Sequence, residues 1–105
     1  VEICAADRSL LKRFLDPQTN ARVDDWGGTL AARSRLLRDA LRVVRDAVHE
    51  EFVVGVRTSI AGDEAWLLGG LLRESGADYI HFVGEIDPEL VHALAPSVVA
   101  DRRIQ

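Results

Sequence analysis

The sequence predicts an α/β fold built on a parallel sheet, in one unit over residues 1–105. Two features of the chain predict it. Short apolar runs alternate with helical patterns in the order strand, helix, strand, helix, strand, helix, strand, which requires parallel strands joined by right-handed crossovers. The run at residues 52–57 is apolar without alternation, as in a parallel sheet covered on both faces.

Residues 1–5 (VEICA) form the first predicted strand. A long connection follows over residues 7–28, with a helical turn expected at residues 10–14 and with Pro17 and Gly27-Gly28 as punctuation. Connections of this length are uncommon in compact domains and usually functional. The main helix is predicted over residues 30–50. Thr29 is its N-cap, because its hydroxyl can accept from a free backbone N–H of the first turn. Leu30, Leu37, Leu41, Val44 and Val48 recur at helical spacing and form its apolar face. Arg33, Arg35, Arg38, Asp39, Arg42, Arg45 and Asp46 are assigned to the rest of its surface. The strand at 52–57 comes next. Asp63 is the expected cap of the second helix, and Gly76 its left-handed terminator. Residues 78–83 form the third strand. Asp87-Pro88 opens a further helix, with an N-cap and a proline at the first helical position. Pro96 ends that helix, and residues 97–100 begin a fourth strand.

Composition narrows the function. The chain is 48% hydrophobic and 29% charged, with a net charge of −4. Its charges are interspersed, so the basic stripe that nucleic acid requires is missing. No apolar run approaches the roughly 20 residues of a membrane span, and no signal-peptide pattern is visible. The single cysteine rules out an internal disulfide and suits a reducing cytoplasm. The chain has no methionine and opens inside an apparent core strand, so it is expected to be a piece of a longer protein. His49 and His92 each follow a carboxylate by one helical turn, but no third ligand is in view, and no metal site is expected.

The stretch FLDPQTNARVDDWGG at residues 14–28 is the most specific in the chain. Phe14, Leu15, Pro17, Thr19, Asn20, Arg22, Asp24, Trp26, Gly27, Gly28, Leu30 and Arg33 stand at irregular spacings, followed by a long amphipathic helix and the strand VGVR. In that register the chain resembles the flavin-dependent oxidoreductases of the Old Yellow Enzyme type. That broad family includes 2,4-dienoyl-CoA reductase and trimethylamine dehydrogenase. It writes the region FL-(S/D)-P-x-(S/T)-N-x-R-x-D-x-(Y/W)-GG-(S/T)-L-x-x-R. The resemblance covers most of residues 1–85. It implies a partial (β/α)8 TIM barrel of about three β-α units plus a further strand, since a whole barrel takes about 250 residues. It also implies FMN as cofactor, NAD(P)H as reductant and a small-molecule substrate. Open sheet edges in such a segment predict self-association, or a partner chain that completes the barrel.

The resemblance assigns the site residues. Arg57 stands where the family's strand-end arginine reaches the flavin near its N1/O2 edge, and a fixed cation there stabilises the charge of the reduced flavin. The alternative is an arginine that pairs with a neighbouring carboxylate. Relatives write HxxNGY or HxxHGY after the first strand, and two of those side chains hydrogen-bond the substrate carbonyl. On that register Cys4 replaces the first histidine, Asp7 the second donor, Arg8 the glycine and Ser9 the tyrosine. An ionised carboxylate at position 7 accepts only, so it repels a developing enolate oxygen. The substrate-activating motif therefore reads as degraded, which leaves two functions open: an FMN-dependent oxidoreductase segment, or an inactive barrel segment with a structural or interaction role.

Other residues have plainer readings. Cys4 is expected to be a small buried hydrophobe at a strand end. Asn20 and Arg22 brace the long loop, and Gly27-Gly28 supply a tight turn in preference to an anion cradle. His81 lies in YIHFVG, which resembles the family's Y-(L/I)-H-V-S-G, and is read as a satisfied core histidine. Gly69-Gly70 is read as close packing of the second helix on the sheet.

Overall fold

A computed structural model describes residues 1–60, 62–83 and 98–101. The strands are β1 (Glu2–Ala5), β2 (Gly55–Thr58), β3 (Tyr79–Val83) and β4 (Val98–Asp101). They form one parallel sheet in the order β1-β2-β3-β4. The register sets Ile3 beside Val56 and Ile80, and Ala5 beside Thr58 and Phe82. That row points to one face and joins the helices in the core, together with Leu15, Leu37, Leu41, Leu68 and Leu72. The helix predicted from Asp87 to Pro96 lies outside the described residues.

The expectation of a sheet covered on both faces is corrected. Among the described residues the helices cover only the face of Ile3, Val56 and Ile80. Glu2, Cys4, Gly55, Arg57, Tyr79 and His81 alternate onto the other face, as period-2 geometry requires. Cys4 is exposed there, which overturns its reading as a buried hydrophobe. Phe52 and Val53 also precede the strand instead of opening it, and both are more than half exposed.

The helices are α1 (Leu10–Leu15), α2 (Leu30–Arg33), α3 (Arg35–Ala47) and α4 (Asp63–Glu74). Thr29 caps α2 as expected, its hydroxyl accepting from the Ala32 N–H at 3.2 Å. The single long helix expected at 30–50 breaks at Ser34. The Ser34 hydroxyl bonds back to the Ala31 carbonyl at 3.2 Å and accepts from Arg38 Nε at 3.1 Å. A serine that offers the backbone an alternative partner bends a helix without glycine or proline. His49 falls beyond the end of α3, where its Nδ1 accepts from the Glu51 N–H.

Asp63 is not the cap of α4. Gly62 holds that position at φ 72°, and Asp63 and Glu64 lie in the first turn, where their charge suits the helix dipole. Gly76 ends α4 as expected, at φ 107°. The Ala77 N–H reaches the Leu72 carbonyl and the Gly76 N–H reaches the Arg73 carbonyl, which is a Schellman motif. Gly69 is buried, but a Cβ on Gly70 would meet nothing within 4 Å, so close packing does not account for Gly70.

Arg45 and Asp78 tie α3 to the lower end of the sheet. Arg45 donates to the Gly76 carbonyl, the Phe52 carbonyl and Asp78, and Asp78 accepts from the Val54 N–H at 2.9 Å. That backbone bond, with Arg45 beside it, holds the Asp78 carboxyl below its ordinary 3.8. A depressed carboxylate stabilises the fold above its unfolded value, and the contribution is lost as pH falls through the folded value. We expect the wild-type chain to lose stability as acid is added below about pH 4, and Asp78→Asn to flatten that limb. Urea midpoints measured from pH 6 to pH 2.5 check this; parallel curves for both proteins count against it.

Candidate functional site

Strand ends and the loops after them hold the chemistry of a parallel α/β barrel. Here those are the ends of β1 and β2. Arg57 lies on the open face of β2, in register with Cys4 of β1 and His81 of β3. Its side chain is 29% exposed, and its Nη2 lies 4.0 Å from Asp7 Oδ2. Its Nε is buried and has no hydrogen-bond partner. An unpaired buried donor costs stability unless something accepts from it.

The loop after β1 positions the other residues. Asp7 has φ 57°, a left-handed conformation that is the one such non-glycine case among the described residues. The Ser9 N–H closes a turn onto the Ala6 carbonyl at 3.2 Å. The Ser9 hydroxyl accepts from the Lys12 N–H at 3.2 Å and so caps α1. The residue in the tyrosine's place thus has a structural task. Cys4 Sγ lies 3.8 Å from the Ala6 carbonyl and sits on the open face.

One cluster on the open face was not foreseen. The Tyr79 hydroxyl donates to Glu2 Oε2 at 2.8 Å, and His81 Nδ1 lies 3.6 Å from Glu2 Oε1. The tyrosine reaches from β3 to β1 across β2, a span of roughly 10 Å. Gly55 makes this possible, because a Cβ there would stand 2.1 Å from Tyr79 Cζ. Burial and the bond to Glu2 push the Tyr79 phenol above its ordinary value. His81 is therefore partnered, as expected, but on the open face and not in the helix-covered core. The signal in the sequence was Gly55, the glycine of VGVR.

The long loop is braced as read. The Asn20 amide donates to the Phe14 carbonyl at 2.6 Å and the Trp26 carbonyl at 2.9 Å, and its Oδ1 accepts from the Arg22 N–H. Arg22 pairs with Asp24, whose carboxyl is held below its ordinary value chiefly by that guanidinium and then by the Trp26 N–H. Arg35 lies 4.6 Å over the Trp26 ring. Arg33, assigned to the polar surface of the helix, is in fact 3% exposed. It donates to the Leu15 and Gly28 carbonyls and to Glu64.

The family model "NADH:flavin oxidoreductase / NADH oxidase family" matches residues 1–99. The chain belongs to this family. The flavin oxidoreductase segment is 43% identical over 87 residues to enoate reductase 1 of Kluyveromyces lactis, covering 83% of this chain and 22% of that protein. It is 41% identical over 64 residues to an N,N-dimethylglycine/sarcosine dehydrogenase of Chromohalobacter salexigens, covering 61% of this chain and 9% of the relative. A morphinone reductase structure in complex with tetrahydroNAD superposes with a TM-score of 0.79 at 26% identity, over 95% of this chain and 32% of that one. The segment therefore spans a third or less of each of these relatives. The partial TIM-barrel reading of the fold stands on this superposition and on the parallel sheet. Membership implies FMN and a reduced nicotinamide as the family's redox pair. No helix among the described residues is long and apolar enough to cross a membrane. No group of three or more metal-ligating side chains occurs among them.

Proposed function

We propose that this chain is the central barrel segment of an FMN-dependent NAD(P)H oxidoreductase, acting on a small molecule, in which Arg57 faces the pyrimidine edge of the flavin. The observation that supports this is the buried, unpartnered Nε of Arg57 at a strand end of the open face. That donor fits a group that offers an acceptor and gathers negative charge. Bound FMN would supply hydride transfer. The chain's own residues do the rest: Arg57 holds the acceptor edge, Gly55 lets Tyr79 close the layer beneath, and α1, capped by Ser9, packs against β1.

The substrate-activating motif is degraded on this reading. Asp7 offers acceptors where a carbonyl substrate requires donors, and the Ser9 hydroxyl is committed to its cap. The segment alone is not expected to activate an alkene. We place the protein in the cytoplasm, where its exposed thiol would stay reduced.

A second reading is an inactive barrel segment with a structural or interaction role, its open sheet face completed by a partner chain or a second copy. The replaced donors at Cys4 and Asp7 favour it. A titration of free FMN with the purified chain, followed by flavin fluorescence, separates the two. We expect saturable quenching in the wild-type chain, weakened at least about tenfold, or about 1.4 kcal/mol, in Arg57→Ala. Absent quenching, or quenching indifferent to Arg57, would move the assignment to the second reading.

A further inference from the structure

The pairing of Arg57 with Asp7 has a consequence for any ligand of that arginine. Among the residues whose side chains are described, Glu2 is the other carboxylate on the open face, and it is engaged by Tyr79 and His81. Asp7 is therefore the described counter-charge of Arg57, at 4.0 Å. No hydrogen bond reaches the Asp7 carboxylate among the described residues, so it offers Arg57 charge without a strong directional bond. Its backbone has φ 57°, where aspartate is tolerated but uncommon, in the loop directly after β1. Non-glycine residues in such conformations cluster at functional sites.

We propose that Asp7 is a charge-setting residue that acts through Arg57 and weakens the hold of this site on the flavin ring, most of all on the reduced, negatively charged ring. The inference rests on the flavin reading above and adds the regulation of the same site. An arginine alone would favour the anionic ring through the full attraction of its charge. A carboxylate 4.0 Å away cancels part of that field. The cancellation is incomplete, because the Asp7 side chain is 67% exposed and water screens it. A family member with an amide or imidazole at this position has no such opposing charge, so the site here is biased toward release of the reduced ring.

The test is a double-mutant cycle on flavin affinity. Riboflavin and FMN are titrated at fixed ionic strength against the wild-type chain, Asp7→Asn, Arg57→Ala and the double variant. Asn tolerates a positive φ as Asp does, so Asp7→Asn leaves the turn intact. Asp46→Asn is the control, since Asp46 is exposed on α3 and its loss changes net charge equally. We expect Asp7→Asn to bind both flavins about threefold to fivefold more tightly, the scale of a solvent-screened pair. The gain appears with riboflavin, which lacks the phosphate, and disappears in the Arg57→Ala background. The midpoint potential of the bound flavin moves to more positive values in Asp7→Asn. If Asp7→Asn behaves like Asp46→Asn, or its gain survives without Arg57, this inference is overturned while an Arg57-dependent flavin site stands. If neither the wild-type chain nor Asp7→Asn binds either flavin, both readings fall.

Discussion

Arg33→Ala is expected to destabilise the chain by about 3 kcal/mol, the top of the ordinary range for one substitution and a large share of the roughly 5–15 kcal/mol that a domain of ordinary stability has. Its guanidinium joins three separate elements. Nη1 donates to the Leu15 carbonyl at the end of α1 at 2.8 Å, Nε to the Gly28 carbonyl at 3.1 Å, and both terminal nitrogens reach Glu64 on α4. Truncation leaves the Leu15 carbonyl buried without its donor, which by itself costs about 1–3 kcal/mol. It also opens the volume that the arginine stem fills, since Arg33 is only 3% exposed. Glu64→Ala is expected to cost far less, because the Glu64 side chain is 37% exposed and regains water when the partner goes. Urea unfolding followed by circular dichroism measures both. Equal and small losses for the two variants would show that the ion pair, not the buried carbonyl, dominates.

That prediction marks where the sequence stopped being legible. Helical periodicity put Arg33 on the polar side of the helix, and periodicity sees one element at a time. The acceptors that bury Arg33 come from α1, the glycine turn and α4, so its burial is a tertiary fact. The motif did contain the hint, because Arg33 closes the same register as Asn20 and Gly27. Elements whose ends are set by local chemistry were legible: the Thr29 cap, the left-handed Gly76 and the apolar face of Leu30, Leu37 and Leu41. The break at Ser34 was not, because the serine bonds backward to Ala31 and forward to Arg38 without any breaker residue. Phe52 and Val53 look like strand residues by composition, yet the sheet begins at Gly55, where the register with Glu2 and Tyr79 starts.

The site was legible in part for a similar reason. Family register alone singled out Arg57, Cys4, Asp7 and Ser9. It could not say that Ser9 caps α1, or that Asp7 faces Arg57, since both follow from how the loop after β1 turns. The Glu2–Tyr79–His81 cluster was invisible because Glu2 lies 77 residues from Tyr79 and meets it only across a glycine on a third strand. A pairing of that kind needs the sheet register before it can be read.

Gly27→Ala is the second large effect, expected at about 3 kcal/mol, near the top of the range for overpacking. A Cβ on Gly27 would lie 2.4 Å from the Arg22 carbonyl oxygen and 2.7 Å from Arg22 Cβ. The first of these is backbone and cannot swing aside. Arg22 is held in place by Asn20 Oδ1 at its N–H and by Asp24 at its guanidinium, so the clash is passed to the whole brace. Displacing it pulls the Trp26 carbonyl from the Asn20 amide and shifts the Gly28 carbonyl that Arg33 holds. Gly28→Ala separates space from conformation at the neighbouring residue. It has φ 95°, but its Cβ would meet nothing within 4 Å, so it is expected to cost only about 1 kcal/mol of backbone strain. Melting curves should therefore rank wild type, Gly28→Ala and Gly27→Ala in that order, with roughly 4–8 °C per kcal/mol for a chain of this size. The reverse ranking would mean that the turn yields more easily than its backbone angles do. The requirement for glycine would then be conformational and lie at Gly28, and the close approach of Arg22 to Gly27 would not be what the fold requires.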